Sequence, residues 1–317
     1  MNSHKISENS DILILATIPA TSILIEALIP NKLTTVSFLE GIKDLNIVKY
    51  SFTATTLVPI YLDIVEKGLN NIIIDVSEYV YKAINNVIRN PFINTNTALG
   101  YLLLSIPLTY SIVRCSLMLD QIKLTNLDNV KNCVSKVTIS LLRRSRAEAF
   151  YNALRMLRPS YSDRFVGVIP DINYVSNIKL SLFEVMRYSA YVDLLAKELI
   201  DGYTLTFITT KRLSSLCRDI DIKCLFNISK IHDELIVNAL DSEGFKFRGL
   251  TYMRIIQDLV NEGLNRESVR ERVKSLLRSE DLNLGTISDI LANSITLYLV
   301  LRFIENVRRD HEASIRS

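Results

Sequence analysis

The sequence predicts an all-α fold, a single-domain multi-helix bundle over residues 1–317 with a buried C-terminal helix at its centre. Three observations carry that reading. Gly (9) and Pro (7) are scarce, so the chain lacks the turn residues that many short strands would need. Apolar residues reach 48%, enough to fill a large core. Long stretches also repeat apolar residues every three or four positions, which places them on one face of a helix. No internal repeat, low-complexity tract or linker divides the chain, which favours one domain.

The elements follow in order. Residues 1–10 are polar and read as a loose tail, as do 311–317. A first helix is expected over about 12–28, bent near Pro19. A loop at Pro30-Asn31-Lys32 leads to helices near 48–66 and 71–88, although Asn71–Val76 also has a strand-like apolar run with no evident partner. After a loop over 91–96, Asn96 and Thr97 open a helix that runs to about Cys115. A long helix is expected over 127–157, stopping at Pro159, and 159–177 is the longest irregular stretch. The next, over 178–201, ends at Asp201-Gly202, where Gly suits the position after the helix. Shorter helices are expected near 208–218, 228–240, 247–263 and 266–278. The last, about 287–310, is apolar on most sides along its first half, as a central helix must be.

Several function classes lose support. A formal charge of +3 is too close to balance to imply a nucleic-acid or membrane partner. Arg143, Arg144, Arg146, Arg155 and Arg158 spread around their helix instead of forming one stripe. The apolar stretches Ile12–Ile29 and Ala98–Val113 are interrupted by Pro19 and Glu26 and by Pro107. Both are marginal for a span of about 20 residues, and buried core helices explain the same hydropathy. Met1–Asp11 carries Glu8 and Asp11, unlike a signal peptide. A soluble cytoplasmic protein is therefore expected. Cys115, Cys133, Cys217 and Cys224 show no C-x-x-C spacing, and with three histidines a zinc site is disfavoured. Reduced, buried thiols are the expectation in that compartment. No Walker loop or G-x-G-x-x-G occurs, and His232 is the one histidine away from the ends, so no nucleophilic triad suggests itself. The oligomeric state stays open.

The informative residues are polar ones inside apolar helices, because burying them unpaired costs about 1–3 kcal/mol each. Leu182, Met186, Ser189, Asp193, Ala196 and Ile200 share one face, which puts Asp193 in a buried stripe; a pair with Lys197 is the structural alternative. Thr286, Asp289, Asn293 and Thr296 form a polar strip on the last helix, of which the first two also fit a capping box. Asn96-Thr97 fit a simple cap, and Glu26 is a lone charge that could lie at the surface. Carboxylates at separate helix ends, with little His or Cys, suit magnesium and phosphates, since this hard cation favours one or two carboxylates plus phosphate oxygens.

At these positions the sequence resembles the triphosphoribosyl-dephospho-coenzyme A synthase family. Asn96-Thr97-Ala98-Leu99-Gly100, then Leu102-Leu103-Leu104 and Pro107-Leu108, resemble its N-T-x-L-G…LL…PL segment. Tyr151-Asn152-Ala153-Leu154, Pro159-Ser160 and Pro170-Asp171 are similar to its Y-x-A-I…P…D-V region. Leu182-Phe183-Glu184-Val185-Met186 with Asp193 resembles its L-R-E-x-M…R-D helix. Asp233-Glu234-Leu235-Ile236 resembles D-T-L-I, and Asn283-Leu284-Gly285-Thr286-Ile287-Ser288-Asp289 resembles N-P-G-T-x-A-D. The chain departs from the family at K-P-G, where it reads Pro30-Asn31-Lys32-Leu33. It departs again at Val192, at Val237-Asn238, at Leu284 and at Arg146.

The resemblance implies a helical transferase that moves the triphosphoribosyl group of ATP to dephospho-CoA or a related acceptor and releases adenine. It implies Asp193 and Asp289 as magnesium ligands or general base, and Asn96 and Thr97 as phosphate or ribose contacts. Glu26, Asp171, Glu184, Asp233, Asn283 and Thr286 are implied as further polar lining. The departures keep a second reading open, a non-catalytic nucleotide-binding or scaffold protein with the same fold. If the residues form one site, Asp193 and Asp289 should meet at a shared cavity with Asn96 or Thr97 at its rim. One carboxyl there should be raised in pKa by the other.

Overall fold

The computed structural model describes residues 9–33, 35–38, 40–41, 44–119, 124–157, 179–191, 193–240, 267–279 and 284–316. They form twelve helices: α1 (Asn9–Leu28), α2 (Ile47–Leu69), α3 (Val76–Arg89), α4 (Leu99–Met118), α5 (Leu127–Arg144), α6 (Ala147–Leu157), α7 (Leu182–Ser189), α8 (Leu194–Ile200), α9 (Thr204–Leu216), α10 (Ile222–Leu240), α11 (Glu267–Ser279) and α12 (Gly285–Arg316). Among the described residues there is no strand, and Arg146 with Ser181 forms an isolated bridge. The fold is all-α. The helix expected over 247–263 and the irregular stretch over 159–177 lie outside the described residues.

Local chemistry sets many of the starts. Asn46 accepts from the Lys49 N–H, Asp75 from Ser77 and Glu78, and Asn126 from Asp128 and Asn129. Each satisfies donors that the first helical turn leaves without partners.

Two helices make the centre. On α12, nearly every residue from Ile287 to Val300 is buried or half-buried, as its apolar circumference predicts. On α4, sixteen of twenty residues are buried. α4 packs against α2, α3, α5 and α12, while α1, α9 and α10 pack on α12. By length and composition alone, Asn9–Leu28, Leu99–Met118 and Gly285–Val307 could each cross a membrane, yet 83% and 67% of the latter two windows lie inside the protein.

Polar residues within this core are knotted in pairs. Tyr101 donates to the Pro19 carbonyl (2.5 Å) and shares a hydrogen bond with Thr296 (2.8 Å). Tyr61 bonds Ser105 (2.5 Å), and Asn293 donates to Thr206 (3.3 Å). These bonds account for Thr296 and part of Asn293 in the polar strip. They pin α12 against α4 and α9 in a fixed register.

Several expectations need correction. The helix expected over 127–157 breaks at Ser145, whose hydroxyl accepts the Val76 N–H at 2.8 Å. Neither Gly nor Pro marks that break. The helix expected over 178–201 is two helices, and Asp193 is the N-cap of the second, accepting from Ala196 at 2.8 Å. Asp193 is exposed and does not belong to a buried helical stripe. Its neighbour Lys197 pairs with Asp201 instead, at 2.9 Å. Helix α1 already includes Asn9 and Ser10, and α12 continues through 311–316, so those residues are helical. The apolar run after Asn71 is a connection in which Ile72 and Ile73 are exposed and Ile74 is buried. The cysteines are not free thiols, since Cys115 bonds Cys133 and Cys217 bonds Cys224. The packing of α4 on α5 brings the first pair to a Cα separation of 6.0 Å, within normal disulfide reach.

If α12 is the core's centre, Leu291→Ala should cost about 2–5 kcal/mol of unfolding free energy. Ile208→Ala, at a half-exposed position, should stay within about 0.5 kcal/mol. Denaturant titration followed by circular dichroism checks both.

Candidate functional site

The site begins where α1 ends. Glu26 is buried in the last turns of this helix. Asn31 then adopts a left-handed backbone (φ 56°), which Asn tolerates better than most residues, and the chain folds back. That reversal brings the buried Lys32 ammonium to the Glu26 carboxylate at 2.5 Å and to its carbonyl at 2.8 Å. Burial pushes the Lys32 pKa down, and the attraction of Glu26 opposes that shift. Glu26 is therefore neither a surface charge nor a lone one. Lys32 supplies a cation in the Pro30–Leu33 segment, where the sequence comparison found the family's K-P-G missing.

The start of α4 forms the next wall. Asn96 accepts the Ala98 and Leu99 N–H groups (3.3 and 3.1 Å), so its carboxamide holds the turn that leads into α4, while the N-cap position itself is Ala98. Thr97 is buried and bonds Thr53 of α2 at 2.7 Å. Gly100 then allows α12 to approach. A Cβ at this position would lie 2.1 Å from Asp289 Oδ2 and 2.8 Å from Leu195 of α8. A side chain here would displace Asp289 from the helix it rests on.

Asp289 is half-buried over that glycine. Its carboxyl is held well above the usual range, first by desolvation, then by repulsion from Glu26 and, to a smaller degree, from Asp193; the Tyr101 N–H, donating to it, pulls the other way. Tyr50, from α2, senses the same charges. Its hydroxyl is pushed upward by burial, then by Glu26 and Asp289. Three carboxylates from α1, α8 and α12 thus act on one volume beside the start of α4. Asp289 stands over Gly100, three residues after Thr97, and the Asp193 charge acts on it more weakly than that of Glu26. Thr286 stands almost one turn before Asp289 and is half-buried. Since α12 starts at Gly285, Asp289 lies more than a turn from the helix end and faces Gly100 instead of capping.

Asp233 joins from another side. Arg270 of α11 pairs with the Asp233 carboxylate and also donates to the Asn31 carbonyl. The guanidinium thereby ties α10 to the loop that carries Lys32. His232 beside it is fully buried, 3.7 Å from Asp233, with neither ring nitrogen hydrogen-bonded. Glu184 has a different task. It completes a capping box with Ser181 at the exposed start of α7, and those hydrogen bonds hold its carboxyl below the usual range. Asp171 and Asn283 lie outside the described residues.

Sequence reasoning overlooked Lys32, Tyr50 and Arg270, and quoted Gly100 without a role. Lys32 had one signal, a basic residue six positions after a lone acidic one across a Pro-Asn turn. Tyr50 and Arg270 had none, because tertiary packing alone brings them in. A cavity of about 350 Å³ opens elsewhere, lined by Lys136, Ile139, Ser140, Arg143 and Arg144 of α5 and by none of the carboxylates.

Among the described residues, no group of three His, Cys, Asp or Glu side chains is arranged to hold a metal ion. The described residues alone therefore build no metal cage. The oxygen donors of Asp289 and Asp193 still fit the one or two carboxylates that magnesium uses when phosphates complete its shell.

Two measurements probe this cluster. Lys32→Met strands the buried Glu26 charge and should cost about 3–5 kcal/mol. Adding Glu26→Leu should recover much of that loss, read in a double-mutant denaturation cycle. For Asp289 the folded state holds its proton to higher pH than the unfolded chain. Between the ordinary carboxyl pKa near 3.8 and the raised one, the folded state binds more protons, so stability falls as pH rises. Asp289→Asn should flatten that fall and raise the melting temperature at neutral pH. An unchanged pH profile would show that the carboxyl is not raised.

The model of the family described as ATP:dephospho-CoA triphosphoribosyl transferase (CitG) matches residues 14–307. A crystal structure from Archaeoglobus fulgidus, provisionally named a triphosphoribosyl-dephospho-coA synthase, superposes with a TM-score of 0.55. It is 22% identical and covers 79% of this chain and 97% of its own, a likeness that shows a shared fold. A search of curated proteins finds no significant match. Matched over nearly its whole length, from the first helix to the last, the chain belongs to the ATP:dephospho-CoA triphosphoribosyl transferase family.

Proposed function

We propose that the protein transfers the triphosphoribosyl group of ATP to dephospho-CoA or a closely related acceptor, with adenine as leaving group, and that the carboxylates around Asp289 carry the transfer. The family membership implies both substrates. The observation that carries the site is the raised Asp289 carboxyl over Gly100, within the influence of Glu26 and Asp193.

In this reaction the bond between the ribose C1 and adenine breaks, and adenine leaves with the bonding electrons. A hydroxyl oxygen of the acceptor ribose attacks C1, and its proton passes to a base and, in the balance of the reaction, on to the nitrogen of the departing adenine. A carboxylate with a raised pKa is a better proton acceptor than an ordinary one, which suits Asp289 to that role. The remaining carboxylate charge stabilises the positive character that develops at C1. Asn96, at the amino end of α4, would offer its carboxamide N–H to a phosphate or ribose oxygen, and Thr97 would support that wall through Thr53. Lys32 balances the local negative charge.

Bound magnesium would neutralise part of the triphosphate charge, and the Asp193 carboxylate would hold it, which leaves Asp289 free to act as the base. An ATP-dependent reaction also calls for a cytoplasmic setting. There the two disulfides would be unusual, since that compartment keeps thiols reduced.

Incubation with ATP, magnesium and dephospho-CoA should release free adenine in step with loss of ATP, measured by chromatography. Asp289→Asn should lower the rate by about 100-fold or more, in the range of a lost general base. ATP bound at micromolar affinity without adenine release would instead identify a non-catalytic nucleotide-binding member of the family.

A further inference from the structure

An aromatic pair outside the carboxylate cluster is unused by the reaction just described. Phe92 is 61% exposed and stacks on Phe52 of α2, with ring centroids 4.6 Å apart and planes within 15°. Val48, one turn earlier on α2, is 56% exposed and extends the apolar patch. Single exposed apolar residues need no explanation. The way this one is held does call for one.

The loop that carries Phe92 is pinned by its polar groups. The Asn90 carboxamide donates to Thr56 of α2 at 3.0 Å and accepts the Phe92 N–H at 3.0 Å. The Asn90 carbonyl accepts the Ile93 and Asn94 N–H groups, and Asn94 takes a left-handed backbone (φ 50°). Asn90 thus fixes the backbone at Phe92, with one ring face against Phe52. The same loop runs directly into Asn96 and Thr97, and Thr97 bonds Thr53, the residue after Phe52. One pair of segments therefore carries the aromatic platform and a wall of the carboxylate site.

We infer that Phe92, backed by Phe52, is the platform on which an adenine ring stacks. The inference rests on the triphosphoribosyl transfer proposed above. A flat, neutral heterocycle suits an exposed phenyl face with no charged partner, because base stacking uses the π surface and needs no ion. Adenine reaches the site from two sources, since both ATP and dephospho-CoA carry it. The platform fixes the base while the carboxylates act on the sugar.

The chain contains no tryptophan, so Phe92→Trp installs a single fluorescent reporter at the platform. Its emission should be quenched saturably by ATP, by adenine or by dephospho-CoA, and not by inorganic tripolyphosphate. Phe92→Ala should raise the KM of one of the two substrates by about tenfold or more while the melting temperature stays unchanged. A rise for ATP identifies the leaving base, and a rise for dephospho-CoA identifies the acceptor's base. Absent quenching, or equal quenching by tripolyphosphate, together with unchanged KM values, overturns the platform. Adenine release by the unsubstituted protein is scored separately. If it is missing while the indole is still quenched by adenine, the transfer reading fails and the base site stands.

Discussion

The approach of Asp289 to Gly100 constrains most of the rest. A carboxylate can rest against the first turn of α4 because the residue beneath it has no side chain. That contact sets the distance between α4 and α12, the two helices that fill the centre of the core. It also requires the polar part of α12 to face inward. The helix can bury Asn293 and Thr296 because Thr206 and Tyr101 are waiting for them. Away from this strip α12 is apolar enough to be packed on several sides at once.

Glu26 and Asp193 differ in how they are compensated. Glu26 has a dedicated cation and is almost wholly removed from water. Asp193 gives one oxygen to the start of α8 and remains exposed. Asp289 has a backbone N–H from Tyr101 and two like charges nearby, so its negative form is the least supported of the three. The unevenness separates their settings: one carboxylate is held by a buried lysine, one is shared with a helix cap, and one has the least support for its charge. Buried charges that are paired serve stability poorly but can fix geometry. The Glu26–Lys32 pair does this for the turn after α1, which Arg270 holds from outside.

The helical class was legible because Gly and Pro scarcity and apolar periodicity are local properties. The breaks at Ser145 and near Asp193 were not. Each is made by a side chain that captures a backbone N–H: Val76, far along the chain, in the first case, and Ala196, three residues on, in the second. Periodicity runs smoothly through both. Asp193 and Asp289 were recognisable as candidates because motif spacing singles them out, although Asp193 was assigned the wrong local setting. Glu184 fits a motif equally well and proves to be a surface cap. Arg270 illustrates the opposite limit. Its helix carries no motif, and its role exists only where α10, α11 and the loop after α1 meet.

The placement of α12 at the centre has a consequence for how the molecule is made. Helices α1 and α4 present their apolar faces to a partner that is synthesised well after them. At about 5–20 residues per second, the roughly 170 residues between the end of α4 and the buried part of α12 take about 8–34 s on the ribosome. Through that interval the nascent chain holds long apolar helices with an empty groove between them. Such a chain is a natural client for factors that shield hydrophobic segments as they emerge. A ribosome that stalls before residue 285 would leave a product that has most of its helices and no core to close around.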